Sequence, residues 1–162
     1  MTVSFILNGE DVSANVRSVD RLSDVLREKF GLLGVKSDCR SGRCGRCLVF
    51  LNSRLVPSCL VPAFRARGRE IVTFEGFSQT DEYKDISEGF AGAGVETCGF
   101  CRNSKIMAVA ALLEHEARPT ADMILEQLSV APCRCTDPQV LAKAVLLAAE
   151  RRTMRRYHRA GL

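Results

Sequence analysis

The sequence has no tryptophan, two tyrosines, two histidines and five prolines in 162 residues. With so few flat rings among its basic residues, the chain lacks the basic-aromatic surface that a nucleic-acid reader uses, and no nucleic-acid partner is expected. The histidines, His115 and His158, lie beside Glu114 and Glu116 and in an arginine-rich tail, and both are expected to be solvated at the surface. No apolar run approaches the length of a membrane span, and residues 1 to 20 lack a basic head followed by an unbroken apolar stretch. The expectation is a cytoplasmic protein with no membrane partner.

Against these shortages stand eight cysteines. In a reducing compartment, cysteines at close spacing are metal ligands more often than disulfides. Charge is uneven along the chain. Residues 1 to 76 hold 12 Lys and Arg against 8 Asp and Glu, residues 77 to 150 hold 6 against 11, and the last twelve hold five arginines and no acid.

Hydrophobic periodicity divides the chain in two. "VSFILNGEDVSANV" alternates about Asn8-Gly9, a dipeptide suited to a tight hairpin turn. Leu22, Val25 and Leu26 then share a helix face that Ser18 or Asp20 can cap and Gly31 can end. After the cysteine loop, "CLVFLNSRLVPSCLVPAF" makes two apolar stretches about Asn52-Ser53, and "EIVTF" makes a last strand. Residues 1–76 are thereby a small α+β domain. Beyond the junction "EGFSQTDEYK" the period becomes 3.6, with Ile106, Val109, Ala110 and Leu113 on one face and Leu141, Ala144, Val145 and Ala148 on another. Residues 77–162 are expected to form a helical bundle, with helices near 80–92, 99–117, 120–129 and 138–158, the last a charged helix end that frays in its arginine-rich tail.

The cysteines fall into two sets of four. Cys39, Cys44, Cys47 and Cys59 are spaced C-x4-C-x2-C with a distant fourth, the opening of a plant-type 2Fe-2S site, and Gly42 and Gly45 let the loop turn inward. Cys98 and Cys101 are placed on one face at a helix start, and Cys133 and Cys135 project to one side of a segment held extended by Pro132. Four thiolates also suit structural zinc, and spacing alone leaves both readings open at each set. Lys36, Arg40, Arg43 and Arg46 oppose negative charge at the first set in either case, or serve to dock a partner.

The segments "NGEDV", "GVKSDCRSGRCGRC", "VPSCL", "IVTFEGF", "ETCGFCRNSKIMA" and "APCRCT" resemble, in this order, the iron–sulfur subunit of the xanthine dehydrogenase/aldehyde oxidoreductase family of molybdenum hydroxylases. The resemblance runs across nearly the whole chain. It implies an N-terminal β-grasp ferredoxin domain and a C-terminal four-helix domain, each with one 2Fe-2S cluster. The first set would hold the cluster facing an FAD-binding subunit, and the second the one nearer the molybdopterin of a large subunit that hydroxylates the substrate. The chain would relay electrons between them with no substrate site of its own. It departs from the family pattern where Thr97 replaces the glutamine that contacts the pterin, where Arg102-Asn103-Ser104 replaces Thr-Pro-Gly, at Asp137 in place of glycine, and at Arg46. Threonine cannot make a carboxamide's hydrogen bonds at that reach. The alternative is a ferredoxin-like carrier that serves a different flavin partner without touching a pterin.

Overall fold

The computed structural model describes residues 1–160, and residues 161 and 162 of the expected second domain lie outside the described residues. The chain divides into two compact units, Met1–Gln79 and Thr80–Leu162.

In the first unit, alternation sets the sheet. Strand β1 (Thr2–Leu7) points Val3, Phe5 and Leu7 inward and pairs antiparallel with β2 (Glu10–Asn15). Between them Asn8 and Gly9 have φ of 53° and 88°, the positive values that a two-residue hairpin matched to strand twist requires. Strands β3 (Leu48–Leu51), β4 (Arg54–Pro57) and β5 (Glu70–Val72) complete a mixed sheet of order β2-β1-β5-β3-β4, in which β5 lies parallel to β1 and antiparallel to β3. Helix α1 (Leu22–Phe30) adds the buried Leu22, Val25 and Leu26 to the core on the inward face. On the opposite face Phe50 meets Phe77 of the short helix α2 (Phe74–Phe77) at 6.3 Å between ring centroids. This is a ferredoxin-like β-grasp unit.

Two local expectations change. Neither Ser18 nor Asp20 caps α1: Arg21 occupies that position without a side-chain bond, and the Asp20 carboxylate accepts the Arg17 backbone N–H at 2.8 Å instead. The segment proposed as a junction is partly structure of the first unit, because Glu75 accepts Gly34 N–H at 2.7 Å and Thr73 Oγ1 at 2.7 Å, while Thr73 N–H donates to Asn8 Oδ1 at 2.8 Å.

The second unit is a four-helix bundle of α3 (Asp81–Gly92), α4 (Arg102–His115), α5 (Ala121–Leu128) and α6 (Pro138–Ala160). Thr80 and Thr120 cap α3 and α5 by accepting N–H bonds three residues on, and Asp137 accepts the Gln139 N–H at 2.7 Å at the start of α6. The Asp137 departure is thus a helix cap. Helix α4 is more central than a single apolar stripe suggests, since every residue from Ser104 to Ala110 is buried. Helices α3 and α6 approach closely at Gly89, where a Cβ would stand 2.7 Å from Ala144 O.

The arginine-rich tail does not fray as expected. It continues α6 and lies along α3, where Arg155 Nε donates to Asp85 Oδ2 at 2.9 Å and its Nη2 to Glu82 Oε1 at 3.1 Å, while Arg151 and Arg159 pair with Glu88 and Asp81. Arg152, 5% exposed, reaches Glu114. Lys84 and Arg159 hold the Asp81 carboxyl below the ordinary range; burial opposes ionisation of Glu82, but its own backbone N–H and Arg155 outweigh that and lower it too. Carboxyls lowered in the folded state contribute stability that is present above their unfolded values and lost as pH falls through the folded ones. Arg155→Met leaves Asp85, 7% exposed, without its cation. It should cost about 2 to 4 kcal/mol in urea unfolding of the full chain at pH 7, and the difference from wild type should shrink as pH falls through the lowered value of Glu82, which Arg155 helps to hold down.

Candidate metal centres

The first cysteine loop lies between α1 and β3 and is braced from both. At Gly42 φ is +74° and a Cβ would stand 2.6 Å from Leu60 Cδ1, so this position needs glycine for its turn and for its close approach. Asp24, in the first turn of α1, accepts Ser37 Oγ at 3.0 Å and Arg40 Nη2 at 3.3 Å. Arg40 therefore turns to Asp24, not to the thiols. Arg21 Nη1 donates to the carbonyls of Arg40 and, at 3.3 Å, Cys59. Ser58 donates both its N–H, at 3.0 Å, and its Oγ, at 2.6 Å, to Cys47 O. Spacing had pointed to none of Asp24, Arg21 and Ser58, because their roles depend on contacts remote in sequence.

In this loop Cys44 N–H donates to Cys39 Sγ at 3.4 Å on the exposed side, and Cys47 and Cys59 are both buried. The two environments push acidity apart. Backbone N–H groups of Ser41 and Cys44 lower the Cys39 thiol to about 6, whereas burial raises Cys47 to about 12.

The second set converges more tightly. The Sγ atoms of Cys98, Cys101 and Cys135 all lie within 4.8 Å of one another, the one such group of three among the described residues. Cys101 Sγ is 3.4 Å from Cys98 Sγ and 3.0 Å from Cys133 Sγ, so Cys133 joins them. Two details differ from expectation. Cys98 precedes α4 in a turn closed by Arg102 N–H on Cys98 O at 3.2 Å, and Cys101 is the N-cap residue, so the pair is not on a helix face. Cys133 and Cys135 lie in a bend, not an extended segment, and Cys135 N–H folds back to Cys133 Sγ at 3.3 Å. Thr136 Oγ1 ties the bend to the turn by donating to Glu96 O at 2.6 Å. Backbone N–H groups of Cys101 and Phe100 lower Cys98 to about 7, and burial raises Cys101 far above an ordinary thiol. Burial opposes ionisation of Cys133, yet the Cys101 thiol and the Cys135 N–H bring it below normal.

Thr97 is half-buried beside the second set and lines a surface recess of about 480 Å³ with Phe90, Val95, Glu96, Arg102 and Ile106. His115 and His158 are exposed, as expected. No helix among the described residues is long and apolar enough to cross a membrane. Sulfur-only donor sets of this kind suit soft metals, zinc or iron–sulfur groups alike.

The pairing of acidic with weakly acidic thiols predicts which cysteine reacts first in iron-free protein. Cys39, whose thiolate form prevails above about pH 6, should be the first alkylated by iodoacetamide at neutral pH, with its rate falling as pH drops through 6. Cys47 should stay protected until the chain unfolds. Peptide mapping after brief labelling between pH 5 and 8 measures both, and equal labelling of the two would contradict this geometry.

Comparison with known proteins follows the same division. Residues 5–71 match the family described as "2Fe-2S iron-sulfur cluster binding domain", and residues 73–146 match "[2Fe-2S] binding domain". The chain is 36% identical to the nicotinate dehydrogenase small FeS subunit of Eubacterium barkeri, over 93% of this chain and 96% of that protein. It is 35% identical to the xanthine dehydrogenase iron-sulfur-binding subunit of Escherichia coli O157:H7, over 90% and 92% respectively. Among solved structures, a chain of quinoline 2-oxidoreductase from Pseudomonas putida 86 superimposes with a TM-score of 0.83 at 32% identity, covering 94% of this chain and 96% of that one. Aldehyde oxidoreductase from Desulfovibrio gigas superimposes with a TM-score of 0.84 at 30% identity, covering 96% of this chain and 17% of that longer one. Two consecutive 2Fe-2S domains on these two folds, with relatives matched over nearly their whole length, mean that the chain belongs to the iron–sulfur subunits of the xanthine dehydrogenase/aldehyde oxidoreductase family, the non-catalytic electron-transfer subunits of these oxidoreductases.

Proposed function

We propose that this chain holds two 2Fe-2S clusters, the first on Cys39, Cys44, Cys47 and Cys59 and the second on Cys98, Cys101, Cys133 and Cys135, one in each of the domains 1–76 and 77–162. When bound, each cluster supplies a one-electron couple. The observation that carries the reading is that each set of four cysteines lies in a segment that matches a 2Fe-2S family, residues 5–71 for the first and residues 73–146 for the second. At the second set the sulfur separations suit either metal, and the two-domain family match favours iron–sulfur.

The chain's own residues do three things in this function. Backbone N–H groups at Cys44, Cys101 and Cys135 aim at sulfur and stabilise negative charge there without a mobile side chain. Burial of Cys47, Cys59 and Cys101 keeps water from the inner side of each thiol set. Asp24, Arg21 and Thr136 fix the loops, so an electron arrives and leaves without large rearrangement. The relatives named as nicotinate and xanthine dehydrogenase subunits support a place in a multi-subunit oxidoreductase. In this reading the chain lies between a molybdopterin-binding large subunit and an FAD-binding subunit in the cytoplasm, with neither nucleic acid nor membrane as partner. Thr97 would then be the altered pterin-facing position. Arg102 and Thr97 in its recess favour the second reading, a ferredoxin-like carrier for a different flavin partner.

Iron and acid-labile sulfide assays on anaerobically purified protein should give about four of each per chain, with two S = 1/2 EPR signals after dithionite. Cys98→Ser or Cys133→Ser should remove one signal and leave the other. Colourless protein with zinc would overturn the cluster assignment. Co-purification with a large molybdenum-binding subunit would decide against the independent carrier.

A further inference from the structure

One buried charge takes no part in the arrangement described so far. Lys105 lies on α4 four residues after Cys101, with its backbone N–H on Cys101 O at 3.0 Å. The residue is 3% exposed, and its Nζ donates to Leu128 O at 2.7 Å. Leu128 is the last residue of α5, and its carbonyl also accepts the Ala131 N–H at 3.3 Å. From there the chain passes the buried Ala131 and reaches Cys133, whose Sγ is 3.0 Å from Cys101 Sγ. The contacts therefore close a ring: Cys101, one turn of α4, Lys105, Leu128, Cys133 and back to Cys101.

A plain structural role would not need a lysine. A methionine or leucine suits a position this buried without the cost of taking an ammonium from water. Among the described residues no carboxylate lies within ion-pair distance of Lys105. The negative charge that favours it comes from the thiols: burial makes the ammonium more acidic than an exposed one, and charge at Cys133 and Cys101 opposes that.

We propose that Lys105 is the positioning residue of the second thiol set, clamping the Cys133/Cys135 bend against the Cys98/Cys101 turn and placing a fixed positive charge beside the cluster held there. The inference rests on the assignment of a 2Fe-2S cluster to these four cysteines. Reduction adds one electron from dithionite and breaks no bond, so the reduced centre is one unit more negative than the oxidised one. A fixed cation stabilises the reduced form more and raises the potential.

The test is an EPR-monitored potentiometric titration of the cluster-loaded full chain, reading the two signals separately in wild type, Lys105→Met, Lys105→Gln and Lys105→Arg. Loss of the charge in Met and Gln should move the second midpoint to more negative potential and leave the first unchanged. Arg, which keeps the charge, should stay near wild type. Should the Met variant lose the second signal because the bend is no longer held, Gln keeps a donor for Leu128 O and carries the measurement. A second midpoint in Lys105→Gln equal to that of wild type overturns the role of Lys105 while leaving the clusters in place. A wild-type chain with a single iron–sulfur signal overturns the cluster assignment and this inference with it.

Discussion

Repulsion among closely gathered thiolates is the constraint on which the rest of this structure depends. Cys98 and Cys101 have sulfurs 3.4 Å apart, and two unit charges at that distance repel by about 5 kcal/mol at an effective permittivity of about 20. Without a metal the thiols cannot all ionise, and the structure divides the protons unequally. Cys39 and Cys98, exposed and facing backbone N–H groups, are acidic, while Cys47 and Cys101, buried, hold their protons. Each set is therefore half prepared for a cation and needs one to take the remaining protons' place.

Such a site works only if the chain cannot relax away from it. In the first unit the loop is tied to the start of α1 through Asp24 and to the end of β4 through Ser58, and the αL turn at Gly42 lets it lie against Leu60. In the second unit the two cysteine pairs come from segments more than thirty residues apart. They are held by helix packing and by short polar ties, Thr136 to Glu96 and Lys105 to Leu128. The same repulsive constraint is met by a local loop in one unit and by tertiary clamps in the other. The first set thus depends on its own loop, and the second should be sensitive to changes that shift α5 against α4.

This contrast explains what could be read from the sequence. The hairpin at Asn8-Gly9, the stripe Leu22-Val25-Leu26 and the cysteine spacing are local patterns, and the observed elements follow them closely. The sequence pattern starts α4 at residue 99, three residues before its observed start at Arg102, because Cys98–Cys101 is a turn whose hydrogen bonds mimic a helix end without the helix. The bend at Cys133–Cys135 was not legible at all, since Pro132 restricts its own φ but says nothing of the N–H that folds onto sulfur two residues on. Lys105 did leave a signal: a cation immediately before the apolar run "IMAVAALL" is out of pattern in a stretch of α4 that is buried from Ser104 to Ala110.

The charge distribution shows how composition can mislead when read by segment. An acidic second half followed by five arginines suggests two surfaces, one to repel and one to attract a partner. In the folded bundle they are largely one internal system, because α6 runs back along α3 and sets Arg151, Arg155 and Arg159 against Glu88, Asp85, Glu82 and Asp81. The partly buried Arg155–Asp85 pair ties these helices together most firmly, since loss of Arg155 would leave Asp85 in the interior without its cation. Other basic residues remain exposed in both units, Arg43 beside the first cysteine loop and Arg134 beside the second set among them. The first thiol set thus sits in a local, solvent-facing loop, and the second combines backbone dipoles, the adjacent exposed Arg102 and Arg134, and a buried lysine.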